Sequence, residues 1–200
     1  MSEQERDLAA EFELAYASTP PWDIGRPQPA FAALAGSGRL RGRVLDVGCG
    51  TGEHALMAAE TGLTATGVDI APTAIRLAQA KARERRVAAR FVVGDALGFE
   101  SWDEEFDTVL DCGLFHVFDD ADRPRFVASL ASVVLAGGHY FMLCFSEEEP
   151  AGWGPRRITK AEIHEAFSNG WNVDAVEPAE LHVTLRPSPV RSWLASIVRC

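Results

Sequence analysis

Residues 44–52 read Val-Leu-Asp-Val-Gly-Cys-Gly-Thr-Gly: an apolar run of strand type that carries one acid, Asp46, and ends in alternating glycines. Glycines at 48, 50 and 52 remove every Cβ that would hold a ligand off the main chain, and a helical pattern begins at Glu53. The dinucleotide fingerprint GxGxxG requires its third glycine where Glu53 stands, and no GxxxxGK[ST] run exists. A pyrophosphate would face Asp46 unfavourably, whereas the ammonium of an amino acid would be drawn to it. Spacing and charge therefore point to a cationic ligand without phosphate. Asp69, in Gly67-Val-Asp69, follows about twenty residues later, where folds of this class hold a ribose diol. Asp95, in Val93-Gly-Asp-Ala96, is a third acid at a third strand end, where a carboxylate can accept from an adenine amino group.

Asp111-Cys-Gly-Leu-Phe-His116 leaves a fourth strand at the same edge. An imidazole there titrates near neutrality, which makes His116 the candidate general base; the alternative is a histidine that only orients a substrate. His54 reads as serving the first helix or the cofactor's edge. His139, His164 and His182 have no partner at metal-ligand spacing, so no metal is expected. Phe12, Tyr16, Trp22, Phe115, Phe118, Phe145 and Trp153 are candidate rim aromatics on which a planar ring would stack; for Phe118 and Phe145 the competing reading is plain core.

The elements that must position these residues alternate. Strands are expected at 43–47, 64–69, 89–93, 106–112 and 139–145, with helices at 53–61, 72–86 and 122–135 between them, the last stopped by Gly137-Gly138. Pro72 and Pro124 suit first helical turns. That order is the signature of a parallel sheet covered by helices. A helix over 158–167 is capped at Thr159, with Glu162 completing the box. Segments 171–184 and 190–199 then read as an antiparallel pair at one sheet edge. Ahead of the first strand lie a helix over 5–17 and a proline-bearing stretch, 18–29, that cannot be helical. This N-terminal part, residues 1–40, is read either as a lid across the cleft or as an ordinary wrap over the core.

Two hundred residues suit one domain. Nineteen basic against twenty-nine acidic residues give a net charge of −10, which disfavours nucleic acid and anionic lipid as partners. The cluster Lys81-Ala-Arg-Glu-Arg-Arg86 reads as a solvated helix end rather than a phosphate-binding patch. The cysteines at 49, 112, 144 and 200 form no CxxC pair, the N-terminus lacks signal-peptide character, and no apolar run reaches membrane-spanning length. A cytoplasmic location is expected, as a monomer or homodimer.

Taken in order, Val44–Gly52, Gly67-Val-Asp-Ile70, Gly94-Asp-Ala96 and Phe106-Asp-Thr-Val-Leu-Asp111 resemble the successive motifs of class I S-adenosylmethionine-dependent methyltransferases, over residues 20–200. Pro21-Trp-Asp-Ile-Gly-Arg-Pro-Gln-Pro29, Asp111–His116 and Val190-Arg-Ser-Trp-Leu-Ala-Ser-Ile197 resemble more closely the small bacterial enzymes of the thiopurine methyltransferase-like kind, including mycobacterial enzymes that methylate heterocyclic toxins and quinolones. The resemblance implies a Rossmann-like α/β fold, a doubly wound sheet of seven mostly parallel strands with the last antiparallel and helices on both faces. It implies S-adenosyl-L-methionine as cofactor and S-adenosyl-L-homocysteine as product. By position, Asp46, Gly48 and Gly50 would hold the methionine end, Asp69 the ribose, and Asp95 with Ala96 the adenine. Ile70 would pack on the adenine face, Trp22 would cover the cofactor, and the backbone at Asp111 and Cys112 would receive the ammonium; Cys49, Gly52 and His54 complete the expected set.

The activity so implied is O-, N- or S-methylation of a small aromatic or heterocyclic acceptor by in-line displacement, as in detoxification or secondary metabolism. Orientation can supply about 7–11 kcal/mol of such a barrier in favourable cases. The residues leave two rivals open: an NAD-linked oxidoreductase, disfavoured by Glu53, and a cofactor-binding protein without catalysis.

Overall fold

In the computed structural model the described residues are 3–200, with side chains described from Leu8 onward. Seven strands form one sheet: β1 (Arg43–Val47), β2 (Thr64–Asp69), β3 (Ala89–Val93), β4 (Phe106–Cys112), β5 (Val134–Phe145), β6 (Trp171–Leu181) and β7 (Val190–Arg199), in the order β3-β2-β1-β4-β5-β7-β6. Strands β1 to β5 pair in parallel, and β7 runs antiparallel to both β5 and β6. The expected fold class and the antiparallel pair at the edge are thus observed. The last strand in sequence is the antiparallel one, but β6 takes the edge because β7 inserts between it and β5.

Helices α1 (Glu3–Ala15), α2 (Pro29–Gly36), α3 (Glu53–Glu60), α4 (Pro72–Arg85), α5 (Asp122–Val133) and α6 (Lys160–Ala166) complete the chain, with 3-10 turns at Ala96–Ser101 and Phe115–Val117. Alternation along the strands divides the core. Leu45, Val47, Val109, Tyr140, Met142, Trp193 and Ile197 face α5 and α6, while Val44, Leu110, Phe141, Leu143 and Val190 face α2, α3 and α4. Both faces are covered, so the strands read as continuous apolar runs rather than alternating ones.

Three local readings differ from the sequence. Helix α2 was not expected: Pro29 at its first position and an alanine-rich run favour it, and Phe31 and Leu34 bury one side. Helix α5 ends at Val133, before Gly137-Gly138, because Val134 already pairs with Phe106. The chain then bulges, Thr108 pairing next with His139, and Gly138 sits where a Cβ would lie 2.8 Å from the Leu135 carbonyl. Helix α6 spans Lys160–Ala166 and carries the predicted box: the Thr159 hydroxyl accepts from the Glu162 N–H at 3.1 Å, and a Glu162 carboxylate oxygen accepts from the Thr159 N–H at 2.8 Å. Among the described residues no helix is long and apolar enough to cross a membrane, and no group of three His, Cys, Asp or Glu side chains is arranged to hold a metal ion.

Candidate active site

The carboxyl ends of β1, β2, β3 and β4 open into one cleft of about 1010 Å³. Its position follows from topology: the chain winds outward in both directions from β1 and β4, and the loops leaving these adjacent strands diverge, which leaves a crevice between them.

Gly48-Cys-Gly-Thr-Gly52 turns from β1 into α3, with φ of +63°, +53° and +86° at the three glycines. A Cβ at Gly50 would lie 2.7 Å from the Tyr16 hydroxyl, and one at Gly48 would lie 3.2 Å from Leu114, so both positions need glycine for space as well as conformation. Asp69, at the end of β2, accepts from the Gly50 N–H at 2.8 Å and the Ala71 N–H at 2.9 Å. Its carboxylate ties two strand ends together and still borders the cleft. Burial raises its pKa, opposed by those two N–H bonds. Asp95 accepts from the Leu97 N–H at 2.9 Å and so starts the 3-10 turn that presents Ala96. Ile70, Cys49, Cys112 and His54 also line the cleft.

Asp46 does not. It is fully buried below the glycine turn, with one oxygen accepting from the Ala55 N–H at 3.1 Å and the other without a hydrogen-bond partner, 3.9 Å from His54 Nδ1. Burial pushes its pKa up to about 8. Gly52 is likewise absent from the lining; there a Cβ would meet Phe91 at 2.6 Å, so this glycine lets α3 close on the sheet. Asp111 is turned inward: it accepts from the Tyr140 hydroxyl at 2.7 Å and from the Leu114 and Phe115 N–H groups at 2.8 and 3.1 Å. Its carboxylate bends the chain that carries His116, and burial raises its pKa to about 6. Phe115 is fully buried against Phe126 and Phe167 and belongs to the core, not to the rim.

His116 lines the cleft beside Phe145, ring centroids 5.0 Å apart. Its Nδ1 accepts from the Phe145 N–H at 3.1 Å, which puts the ring hydrogen on Nε2. Burial, assisted by Arg157, lowers its pKa to about 3. The side chain expected as a base is therefore a neutral N–H donor on its cleft-facing nitrogen. Phe145 also packs against Trp153, at 5.4 Å. Trp153 is carried by a loop whose carbonyls, at Glu149, Pro150, Trp153 and Pro155, all accept from Arg157. Phe118 reaches the lining but mainly packs on Phe126, at 4.8 Å.

The proline-bearing arm forms a wall. Phe12, Tyr16 and Trp22 make edge contacts at 6.0 and 6.2 Å, and the Trp22 indole donates to the Tyr16 hydroxyl. The Pro21 carbonyl accepts from the Thr184 N–H, Asp23 accepts from the Thr51 hydroxyl, and the Gln28 amide bonds both main-chain groups of His182. Sequence reasoning missed this arm-to-β6 contact, and with it Ile24, Arg26, Leu181, Val183 and Leu185 in the lining. It also missed that Lys81 and Arg85, in the basic cluster, hold Glu53 at 2.7 and 2.8 Å beside the glycine turn.

The glycine turn after β1, Asp69 at the end of β2 and Asp95 after β3 thus line one cleft at the carboxyl edge of the sheet, with the order and spacing of a class I methyltransferase. An adenosyl sulfonium with an amino-acid tail fits these residues: the N–H groups of Cys49, Gly50 and Gly52, which a phosphate would need, are given to Val68, Asp69 and Cys49, and the cradle has no room for a Cβ. Comparison with known proteins agrees. Residues 44–138 match the family described as a methyltransferase domain. The 2-heptyl-1-hydroxyquinolin-4(1H)-one methyltransferase of Mycobacteroides abscessus is 39% identical over 169 residues, 83% of this chain and 74% of that protein. Probable thiol methyltransferase 2 of Arabidopsis thaliana is 31% identical over 154 residues, 76% and 68% respectively. A structure solved in work on the conversion of a disulfide bond into a thioacetal group during echinomycin biosynthesis superimposes with a TM-score of 0.88 at 34% identity, covering 96% of this chain and 92% of that one. The chain belongs to the S-adenosylmethionine-dependent methyltransferases.

Proposed function

We propose that this methyltransferase acts on a small aromatic or heterocyclic molecule, at oxygen, nitrogen or sulfur, of the kind met in detoxification or secondary metabolism. The observation that carries this reading is the wall formed by His116, Phe145 and Trp153, with ring separations of 5.0 and 5.4 Å, at the end of the cleft reached from β4 and β5. Aromatic walls favour planar ligands, and a single N–H beside them fixes orientation. When bound, S-adenosylmethionine supplies a methyl group activated by a sulfonium. In this reading Asp69 holds the ribose, Asp95 and Ala96 receive the adenine with Ile70 against its face, and the main chain at Gly48, Gly50 and Cys112 receives the methionine end. Trp22 and Tyr16 cover the cofactor. Asp46 and Asp111 act from behind, the first as an acid under the turn and the second by shaping the loop that carries His116. The relatives named for a hydroxyquinolone and for thiols support the acceptor class.

The test is turnover of a panel of hydroxyquinolones, phenols and aromatic thiols, read as S-adenosylhomocysteine formation, alongside calorimetry with S-adenosylhomocysteine and NAD. Methylation of at least one planar acceptor, with no NAD binding, is expected. Turnover confined to non-aromatic acceptors would overturn the acceptor class.

A further inference from the structure

At the wall formed by Phe145 and Trp153 the polar side chains are His116 and Arg157, and neither has a lone pair to spare. At His116, Nδ1 is already taken by the Phe145 N–H, and Nε2, which carries the hydrogen, has no protein partner among the described residues. The charged group that faces the ring is Arg157, whose own N–H groups are spent on loop carbonyls. Cys112, from β4, is a thiol kept protonated by burial. The carboxylates near His116 in the chain are engaged: Asp111 by Tyr140 and two backbone amides, Asp119, which lines the cleft, by the Ala121 and Asp122 N–H groups, and Asp122 by Arg125, while Glu149 on the facing loop holds Arg186 and the Arg191 N–H. On the arm, Arg26 lines the cleft, exposed and without a carboxylate partner among the described residues. The arm's bonds at Pro21 and Gln28 hold it along His182–Thr184, on the same side as Val183 and Leu185. An unpaired guanidinium stands out in a chain of net charge −10.

We infer that the acceptor binds as its conjugate base: an acid ionised near neutrality, such as an aromatic thiol, an N-hydroxy heteroarene or an electron-poor phenol, with its charged heteroatom on the His116 Nε2–H and Arg26 attracting it. This rests on the reading of the site as a chamber for small aromatic acceptors. A neutral acid would need a proton acceptor at the reacting atom, and His116 offers none. The ionised acceptor gives its electron pair to the methyl carbon as the carbon–sulfur bond breaks; the two charges cancel, and no proton has to leave. The neutral state of His116 keeps its N–H in place throughout the range in which such acids ionise. Its role is that of a donor that selects the charge state of the substrate.

Absorbance of 4-nitrophenol bound in the presence of S-adenosylhomocysteine reads acceptor ionisation without turnover. Its acid dissociation constant on the protein should be raised about tenfold or more over solution, a shift of about one pKa unit. The shift should shrink in His116→Leu and Arg26→Gln and persist in His116→Gln, which keeps an N–H, with S-adenosylhomocysteine affinity reporting that each variant is folded. In turnover, the acidic limb of kcat/KM should move with the acceptor's own pKa across substituted phenols and thiophenols. A nitrophenol that binds in neutral form, or a limb fixed at one pH whichever acceptor is used, as a base on the protein would set it, overturns the ionisation claim alone. Failure of every aromatic acceptor to bind overturns the chamber reading beneath it.

Discussion

Gln28 holds His182 by both ends of its side-chain amide: Nε2 donates to the His182 carbonyl at 2.9 Å, and Oε1 accepts from the His182 N–H at 2.8 Å. The two residues are 154 positions apart, and Gln28 is only 2% exposed. This pair seats the N-terminal arm against the end of β6, and so closes the cleft on the side where Val183 and Leu185 line it. Through its N–H, Gln28 also donates to His54 Nε2 at 3.1 Å, above Asp46.

Gln28→Leu leaves the His182 N–H and carbonyl unpaired. The expected cost is about 1–3 kcal/mol, seen as a Tm lower by roughly 2–4 °C per kcal/mol. The acceptor KM should rise more than the Kd for S-adenosylhomocysteine, since the arm's contacts with the glycine turn, through Asp23 and Thr51, are separate. Equal changes in both constants would show that the arm is not a wall of the acceptor end.

Asp69→Ala removes the acceptor for the Gly50 and Ala71 N–H groups and, in the proposed reading, for the ribose hydroxyls as well. A hydrogen bond to a charged group is worth about 1.5–3 kcal/mol, so S-adenosylhomocysteine should bind about 10- to 100-fold more weakly by calorimetry. Wild-type affinity in a folded Asp69→Ala protein would remove Asp69 from the cofactor site.

Trp153→Ala should leave cofactor affinity within about twofold of wild type and raise the KM for a planar acceptor about tenfold, roughly 1.4 kcal/mol, the scale of one aromatic contact with its buried area. Trp153→Phe should recover most of it. An unchanged acceptor KM in the alanine variant would show that the loop bearing Trp153 does not touch substrate.

The buried titratable groups set a pH dependence of stability whose sign differs between them. Asp46, raised to about 8 by burial, contributes stability that is full below an unfolded value of about 4 and is lost as pH rises through 8. His54 and His116, lowered by burial to about 4 and about 3, contribute stability present above about 6.5 and lost as pH falls through those values. Asp111, raised to about 6, has largely ionised by pH 7. Between pH 7 and 8 the falling contribution is therefore that of Asp46; the buried thiols of Cys49, Cys112 and Cys144, raised by burial, add their own loss only as pH passes the unfolded thiol value of about 8.5. The Tm of the cofactor-free protein should decline across that window, and Asp46→Asn should flatten the decline. A wild-type Tm that stays level, or an equal decline in Asp46→Asn, would refute the assignment.

Much of the architecture could be read from local pattern. The first four parallel strands keep their expected bounds, and β5 starts five residues early, because a parallel sheet covered on both faces demands short, largely apolar segments, each ended by a turn residue. The capping box at Thr159 and Glu162 involves neighbours three residues apart, so chain proximity alone decides it. Helix α2 escaped notice because its eight residues follow directly on the prolines that marked the arm as irregular. The bulge at Gly137-Gly138 escaped because two glycines stop a helix and bend a strand equally well, and pairing with Phe106 and Thr108 across the sheet decided between them.

From its residues alone the chain specified the glycine turn, the spacing of Asp69 and Asp95 behind it, and hence the class of cofactor, since backbone clearance and the sign of charge are properties of a short segment. Which of the strand-end acids border the cleft was decided by the tertiary structure. Asp46 and Asp111 occupy strand ends as Asp69 does, yet each is turned into protein because a neighbouring element, the start of α3 or the Tyr140 hydroxyl, supplies its hydrogen bond. The same holds for His116: its type announces a proton acceptor, and the amide of Phe145, brought alongside by the pairing of β4 with β5, turns it into a donor. A side chain's chemistry is set by which of its atoms are already occupied, and those partners come from distant parts of the chain.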